Sequence, residues 1–306
     1  MSRLLASLAA PPSGRERAIW FDAAGYGQAK LLAGAAVPWD SPAELTSFVA
    51  KLQGMFRSDA ILADVGEVFA QRAAGDAQLR AAMAARTRPG YALRTLLADD
   101  QARKAAAEAI HALAATAGGV PLVLAVPAPG RWLAAAAEQA GSDPGPADSG
   151  RTETAAMYVA DMLRTFGSLG VDGLLLDEGS ASDGGLDHPE AYRSVLNVAD
   201  HYGWPVLIRT DAAAAWPHGS ITGVTAWLGS APADATSGRW GVVATAGFWD
   251  GGNPAPEAGF VLAAVPAQAD PEAVMKRVRA LALPAGGHSS TSQSRGRTEL
   301  AQDRRA

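Results

Sequence analysis

The chain contains no cysteine among its 306 residues. That single absence excludes disulfides, thiolate nucleophiles, iron–sulfur clusters and thiolate-ligated zinc. Histidine is scarce as well. His111, His188, His201, His218 and His288 are scattered and make no H-x-H or H-x-x-x-H spacing, so no bound metal is expected. No apolar stretch approaches the ~20 residues that cross a bilayer. Positive charge is not in excess: the net charge is −5 and the pI near 5.6, which gives no electrostatic reason to expect nucleic acid or an anionic membrane as partner. Met1 to Ala10 holds one arginine and a weak apolar segment leading into Pro11-Pro12-Ser13-Gly14. That segment is too short and too lightly charged for a signal peptide, so a cytoplasmic protein is expected.

Short apolar runs that end in a charged residue are plentiful. Ile19-Trp20-Phe21 ends in Asp22, Ala60-Ile61-Leu62-Ala63 in Asp64, and Leu174-Leu175-Leu176 in Asp177 and Glu178. Val206-Leu207-Ile208 ends in Arg209 and Asp211, and Val242-Val243-Ala244 leads through Phe248 and Trp249 to Asp250. A continuous apolar run suits a parallel strand buried on both faces, and a polar group at its C-terminal end suits a site. Strands are predicted at residues 18–22, 59–65, 120–127, 171–178, 204–210, 221–227, 240–248 and 259–266. Helical patterns fall between several of them: Ser41-Pro42 opens one, residues 67–115 hold two or three broken near Arg88-Pro89-Gly90, and Asp270-Pro271 opens the last.

Eight strands interleaved with helices predict a single α/β domain, a (β/α)8 TIM-type barrel over residues 1–285, with a reduced C-terminal half where little helix fits between strands. Residues 286–306 form a polar tail without apolar periodicity, expected to be disordered. In such a barrel Asp22, Tyr26, Asp64, Glu67, Asp177, Glu178, Arg209, Asp211, Trp249 and Asp250 converge on one mouth. Crowded carboxylates raise one another's pKa, which makes general acids and bases near neutrality, and Arg209 offers a planar fork to an anion. Asp177, Glu178 and Asp64 are the predicted catalytic groups; Arg209, Asp211, Asp22, Tyr26, Trp249 and Asp250 are predicted to bind substrate. Asp59 and Asp172, which precede strands, read as caps or turn residues.

The order of motifs resembles a known family. Arg17-Ala18-Ile19-Trp20-Phe21-Asp22-Ala23-Ala24-Gly25-Tyr26 is similar to the first strand and loop of uroporphyrinogen decarboxylases, and Phe56-Arg57-Ser58-Asp59-Ala60-Ile61-Leu62-Ala63-Asp64 to their second strand. Val120-Pro121-Leu122-Val123-Leu124, Gly170-Val171-Asp172-Gly173-Leu174 and Trp204-Pro205-Val206-Leu207-Ile208 resemble the third, fourth and fifth. The resemblance extends to the superfamily that includes cobalamin-independent methionine synthase and other methyltransferases. It implies the same barrel, and it implies a binding role for Asp64, where the family keeps a carboxylate. The departures are chemical. Asp22 and Tyr26 stand where the decarboxylases carry porphyrin-binding arginines, and Ile208-Arg209-Thr210-Asp211 replaces the methyltransferases' zinc-binding stretch.

These features lead to a cofactor-free lyase acting on a small anionic metabolite in specialised, natural-product metabolism. Decarboxylation, or elimination or ring closure with loss of an anion such as sulfate or phosphate, fits the residues. A zinc-independent methyl or alkyl transferase, and a non-catalytic barrel subunit partnering a homologous catalytic protein, are the alternatives. The partners expected are the metabolite and a second barrel, as homodimer or heterodimer.

Overall fold

A computed structural model describes residues 2–145, 148–179, 189–210, 222–229, 240–244, 246–252 and 258–282. Asp211 and the polar tail at 286–306 lie outside them. Eight parallel strands form a nearly closed barrel: β1 Ala18–Asp22, β2 Ile61–Asp64, β3 Leu122–Pro127, β4 Gly173–Asp177, β5 Val206–Arg209, β6 Ala226–Gly229, β7 Trp240–Ala244 and β8 Phe260–Ala264. Hydrogen-bonded neighbours run β1-β8-β7-β6-β5-β4-β3-β2. Every ladder is parallel, and β1 pairs in register with β8 from Ala18↔Phe260 to Asp22↔Ala264. This is the (β/α)8 architecture, and the predicted strands are present, several shortened at their ends, except that β6 lies at Ala226–Gly229, past the predicted 221–227 and sharing only Ala226 and Trp227 with it.

Helices surround the barrel: α1 Arg3–Ala9, α2 Ala24–Leu31, α3 Pro42–Phe56, α4 Val65–Gly75, α5 Ala77–Ala84, α6 Tyr91–Leu97 and α7 Asp100–Thr116, followed by α8 Pro129–Gln139, α9 Ser149–Arg164, α10 Arg193–Tyr202, α11 Ala246–Trp249 and α12 Pro271–Ala282. The Ala-rich stretch from 67 to 115 holds four helices, not two or three. The extra breaks come from aspartates that cap. Asp76 accepts from the N–H groups of Gln78 and Leu79, and Asp99 from that of Ala102. Along β7 and its sequel, the predicted strand to Phe248 stops at Ala244, and the short α11 buries Phe248 and Trp249 in the outer layer.

Two faces of each strand are apolar, but they serve different cores. Ala18, Trp20, Ala60, Val123, Leu175, Leu207, Phe260 and Leu262 fill the barrel lumen, where Trp20 and Phe260 pack with ring centroids 5.4 Å apart. Residues of opposite parity, such as Leu124, Leu174, Leu176 and Ile208, face the helices. The N-terminal end of the barrel is closed by α1, whose Leu4 is fully buried in the lumen core. Gly173 makes room for it: a Cβ there would lie 2.3 Å from Leu4 Cδ2 and 3.2 Å from the Pro205 carbonyl oxygen. The segment Arg3–Ala9, weak as an apolar run, is thus a plug.

Asp59 and Asp172 do more than turn the chain. Asp172 accepts from the Leu122 N–H and from Arg3 at 2.8 Å each, tying α1 to the β3–β4 base. Asp59, wholly buried, accepts from the N–H groups of Ser13 at 2.8 Å and Ile19 at 2.9 Å, with Arg15 3.4 Å away. It also donates its own N–H to Ile19 O, while Ser58 Oγ accepts from Phe21 N–H. These bonds close the barrel where β1 meets β2, in place of a ladder. Along β1 these bonds reach from Ile19 to Phe21.

Candidate active site at the barrel mouth

Inward parity carries through to the strand ends. Asp22 continues Ala18 and Trp20, Asp177 continues Leu175, and Arg209 continues Leu207. Asp22, Asp64, Asp177 and Arg209 therefore line one cavity of about 120 Å³ at the C-terminal end of the strands, above Ala125, Leu175 and Leu262. Chemistry on this fold is carried out at that face.

Arg209 lies between two carboxylates and bonds to neither. Its Nη1 is 3.9 Å from Asp22 Oδ2 and its Nε 3.9 Å from Asp177 Oδ1. Both separations exceed hydrogen-bonding distance, and its buried Nε has no hydrogen-bond partner among the described residues. Asp177 is held elsewhere. Its Oδ2 accepts from Arg131 Nη1 at 2.5 Å and its Oδ1 from the Gly179 N–H at 3.0 Å. Arg131 reaches it from the first turn of α8, just past the end of β3.

Asp64 ends β2 and caps α4, its Oδ1 accepting from the Glu67 N–H at 2.9 Å. Enclosure by the mouth raises its pKa to about 6, although the residue is exposed, opposed by that cap bond and reinforced by Asp22, Glu67 and Asp177. Asp22 is also raised, first by enclosure, then by Asp177, against the pull of Arg209, although its side chain stays 43 % exposed toward the cavity. Gly66 lets α4 start close to β3, since a Cβ there would lie 2.5 Å from Pro127 Cδ.

Other predicted site residues are placed elsewhere. Glu178, of opposite parity to Asp177, lies behind the sheet, 4 % exposed, and accepts from the Tyr192 hydroxyl at 2.5 Å. Burial raises its pKa to about 7, and the Tyr192 bond opposes the shift. Tyr26 is buried against Phe56 in the layer between sheet and helices, at 5.9 Å between ring centroids, and does not line the cavity. Trp249 packs edge-on against Phe248 in that same layer, and Asp250 sits exposed beyond α11. Both are there because the chain turns into α11 instead of continuing the strand. Trp227 stacks on Trp240 outside the barrel and does not line the cavity. Glu67 is exposed and bonds Gln71.

Two features escaped the sequence reading. Arg131 had a signal that could have found it, because Ala128-Pro129-Gly130-Arg131 follows directly on the apolar run of β3. The apolar wall that α3 adds to the cavity had no signal separate from ordinary amphipathic packing. Among the described residues, no three His, Asp or Glu side chains are grouped to hold a metal ion. No protein-family model matches the chain, and no curated protein matches it in sequence.

Proposed function

We propose that the barrel mouth is the active site of a lyase that cleaves a small anionic metabolite by acid–base chemistry, using carboxylates of the chain itself. The observation that carries this reading is Arg209, a cavity-lining guanidinium left short of hydrogen bonds between Asp22 and Asp177. The charges around it favour an anion more than their count suggests. Asp177 is paired with Arg131, and Asp22 is pushed toward its neutral form. Arg209 is then the cation left to balance an incoming carboxylate, sulfate or phosphate.

Asp64 is the group suited to move the proton. A carboxyl with a pKa of about 6 is largely ionised at neutral pH, yet gives its proton back readily. In an elimination, Asp64 takes a proton from carbon, the C–H electron pair forms the new double bond, and the leaving anion departs with its own pair beside Arg209. In a decarboxylation, the carbon that loses CO₂ keeps the electron pair and collects a proton from the protonated carboxyl. Asp177, fixed by Arg131 and the Gly179 N–H, orients the site.

A screen of small carboxylates, sulfate esters and phosphate esters, read for CO₂ or anion release, tests the proposal. For a substrate so found, Asp64→Asn should lower kcat by about 10²–10⁴-fold. Arg209→Lys should chiefly raise KM, because the fork is lost while the charge stays. Unchanged turnover in both variants would leave the non-catalytic barrel as the better reading.

A further inference from the structure

The cavity does not end in the lumen. Besides the lumen residues Ala60, Leu62, Ala125, Leu175 and Leu262, it is lined by Phe21 and Ile61, which face the other side of the sheet. It therefore passes through the seam between β1 and β2. Beyond the seam its walls are Val37, Trp39, Leu45, Phe48, Leu52 and Phe56. Leu45, Phe48, Leu52 and Phe56 recur at helical spacing on one face of α3, and Val49 lies between them. Among the described residues the hydrogen bonds across this seam come from Ser58 and Asp59, which precede β2, and reach no further along β1 than Phe21, so the ends of β1 and β2 are left without a ladder. At the far end Gln53 is occupied with the backbone of Ser58, accepting from its N–H at 2.8 Å and donating to its carbonyl at 3.3 Å. That bonded pair forms an end wall whose amide is already engaged by the backbone.

We infer that the substrate of this site is amphipathic: an anionic head at Arg209 carrying a single apolar arm, of about one ring, that threads the β1–β2 seam into the slot under α3. This rests on the reading of the mouth as the active site and names its substrate class. The size follows from volume. About 120 Å³ for the whole cavity is close to the roughly 150 Å³ apolar cavity that accommodates benzene. The chemistry follows from the lining, charged only at the mouth and aliphatic or aromatic along the slot up to Gln53 and Ser58 at its end. A metabolite polar at both ends would leave its second polar group without a partner against Leu45 and Phe48.

Calorimetric titration with 3-phenylpropionate and with propionate tests the arm separately from the head. The wild-type protein should bind 3-phenylpropionate at least about tenfold more tightly, the worth of burying a ring. Val49→Trp or Leu52→Trp, each of which fills the slot, should reduce the ratio of the two affinities about tenfold or more. Two independent variants guard against one that misfolds, and thermal melting identifies such a variant. Trp39→Phe should remove a change in indole fluorescence that 3-phenylpropionate produces and propionate does not. Equal affinities for the two probes in the wild-type protein, or a ratio indifferent to both tryptophans, would overturn the inference. Failure of the mouth reading looks different: Arg209→Met would then leave the affinity for both carboxylates unaltered, whatever the slot does.

Discussion

Two carboxyls displaced upward in pKa stand on opposite faces of the sheet, and they have different consequences. Asp64 opens to the cavity, where a pKa of about 6 serves proton transfer. Glu178 is sealed behind β4 with Tyr192, so its shift to about 7 is a matter of stability. A carboxyl that holds its proton more tightly when folded than when unfolded destabilises the fold as it ionises. Stability should therefore fall as pH rises from about 4.5 to about 7 and change little from this group above that. The full difference is of the order of 3 kcal/mol. Glu178→Gln keeps an acceptor for Tyr192 and removes the charge. Urea unfolding across pH 4.5 to 8 should show a flatter profile for the variant, with its largest advantage at the alkaline end. Parallel profiles for the two proteins would show that Glu178 ionises without penalty. Only half of this pair's arrangement was legible beforehand. Asp177 and Glu178 stood out because acids after Leu174-Leu175-Leu176 have no place in a core, but a strand apolar on both faces hides which parity faces the lumen.

At the level of elements, the strands were the readable part. β1 lies where its apolar run lies, because a buried parallel strand needs an uninterrupted run and little else. α1 was not readable as part of the barrel, since seven residues with two buried side chains have no periodicity to show. Its role comes from tertiary packing, with Leu4 inserted above a glycine. Gly173→Ala should therefore destabilise the protein, and Leu4→Ala should cost about 2–5 kcal/mol through the cavity it leaves. Combined, the two should cost less than their sum, because the new methyl group occupies space that Leu4 vacates. A double-mutant cycle by chemical denaturation measures that coupling. Strict additivity would mean that Gly173 is needed for the nearby Pro205 backbone instead. Tyr26, Trp249 and Asp250 were misplaced for a similar reason, since their surroundings depend on where α2 and α11 begin, not on residue type.

Over the whole molecule, the barrel has two ends and one seam, and the division of labour follows from them. The N-terminal end is tied down by Asp59, Asp172 and the α1 plug, and the C-terminal end collects Asp22, Asp64, Asp177 and Arg209. The seam between β1 and β2 is laced by Ser58 and Asp59 as far as Phe21, and the cavity that begins at the mouth is lined on both sides of it, so the mouth communicates with the slot beneath α3. Among the described residues no helix is long and apolar enough to cross a membrane. The account depends most on the claim that the mouth pairs an anion-binding guanidinium with a carboxyl able to exchange its proton near neutrality. Carbon-13 NMR of the aspartate carboxyls, titrated with and without propionate, examines both parts in one measurement. Asp64 should titrate near 6, and bound propionate should raise it further, because a second negative charge beside it disfavours ionisation. An Asp64 that titrates in the ordinary carboxylate range and ignores propionate would contradict the account.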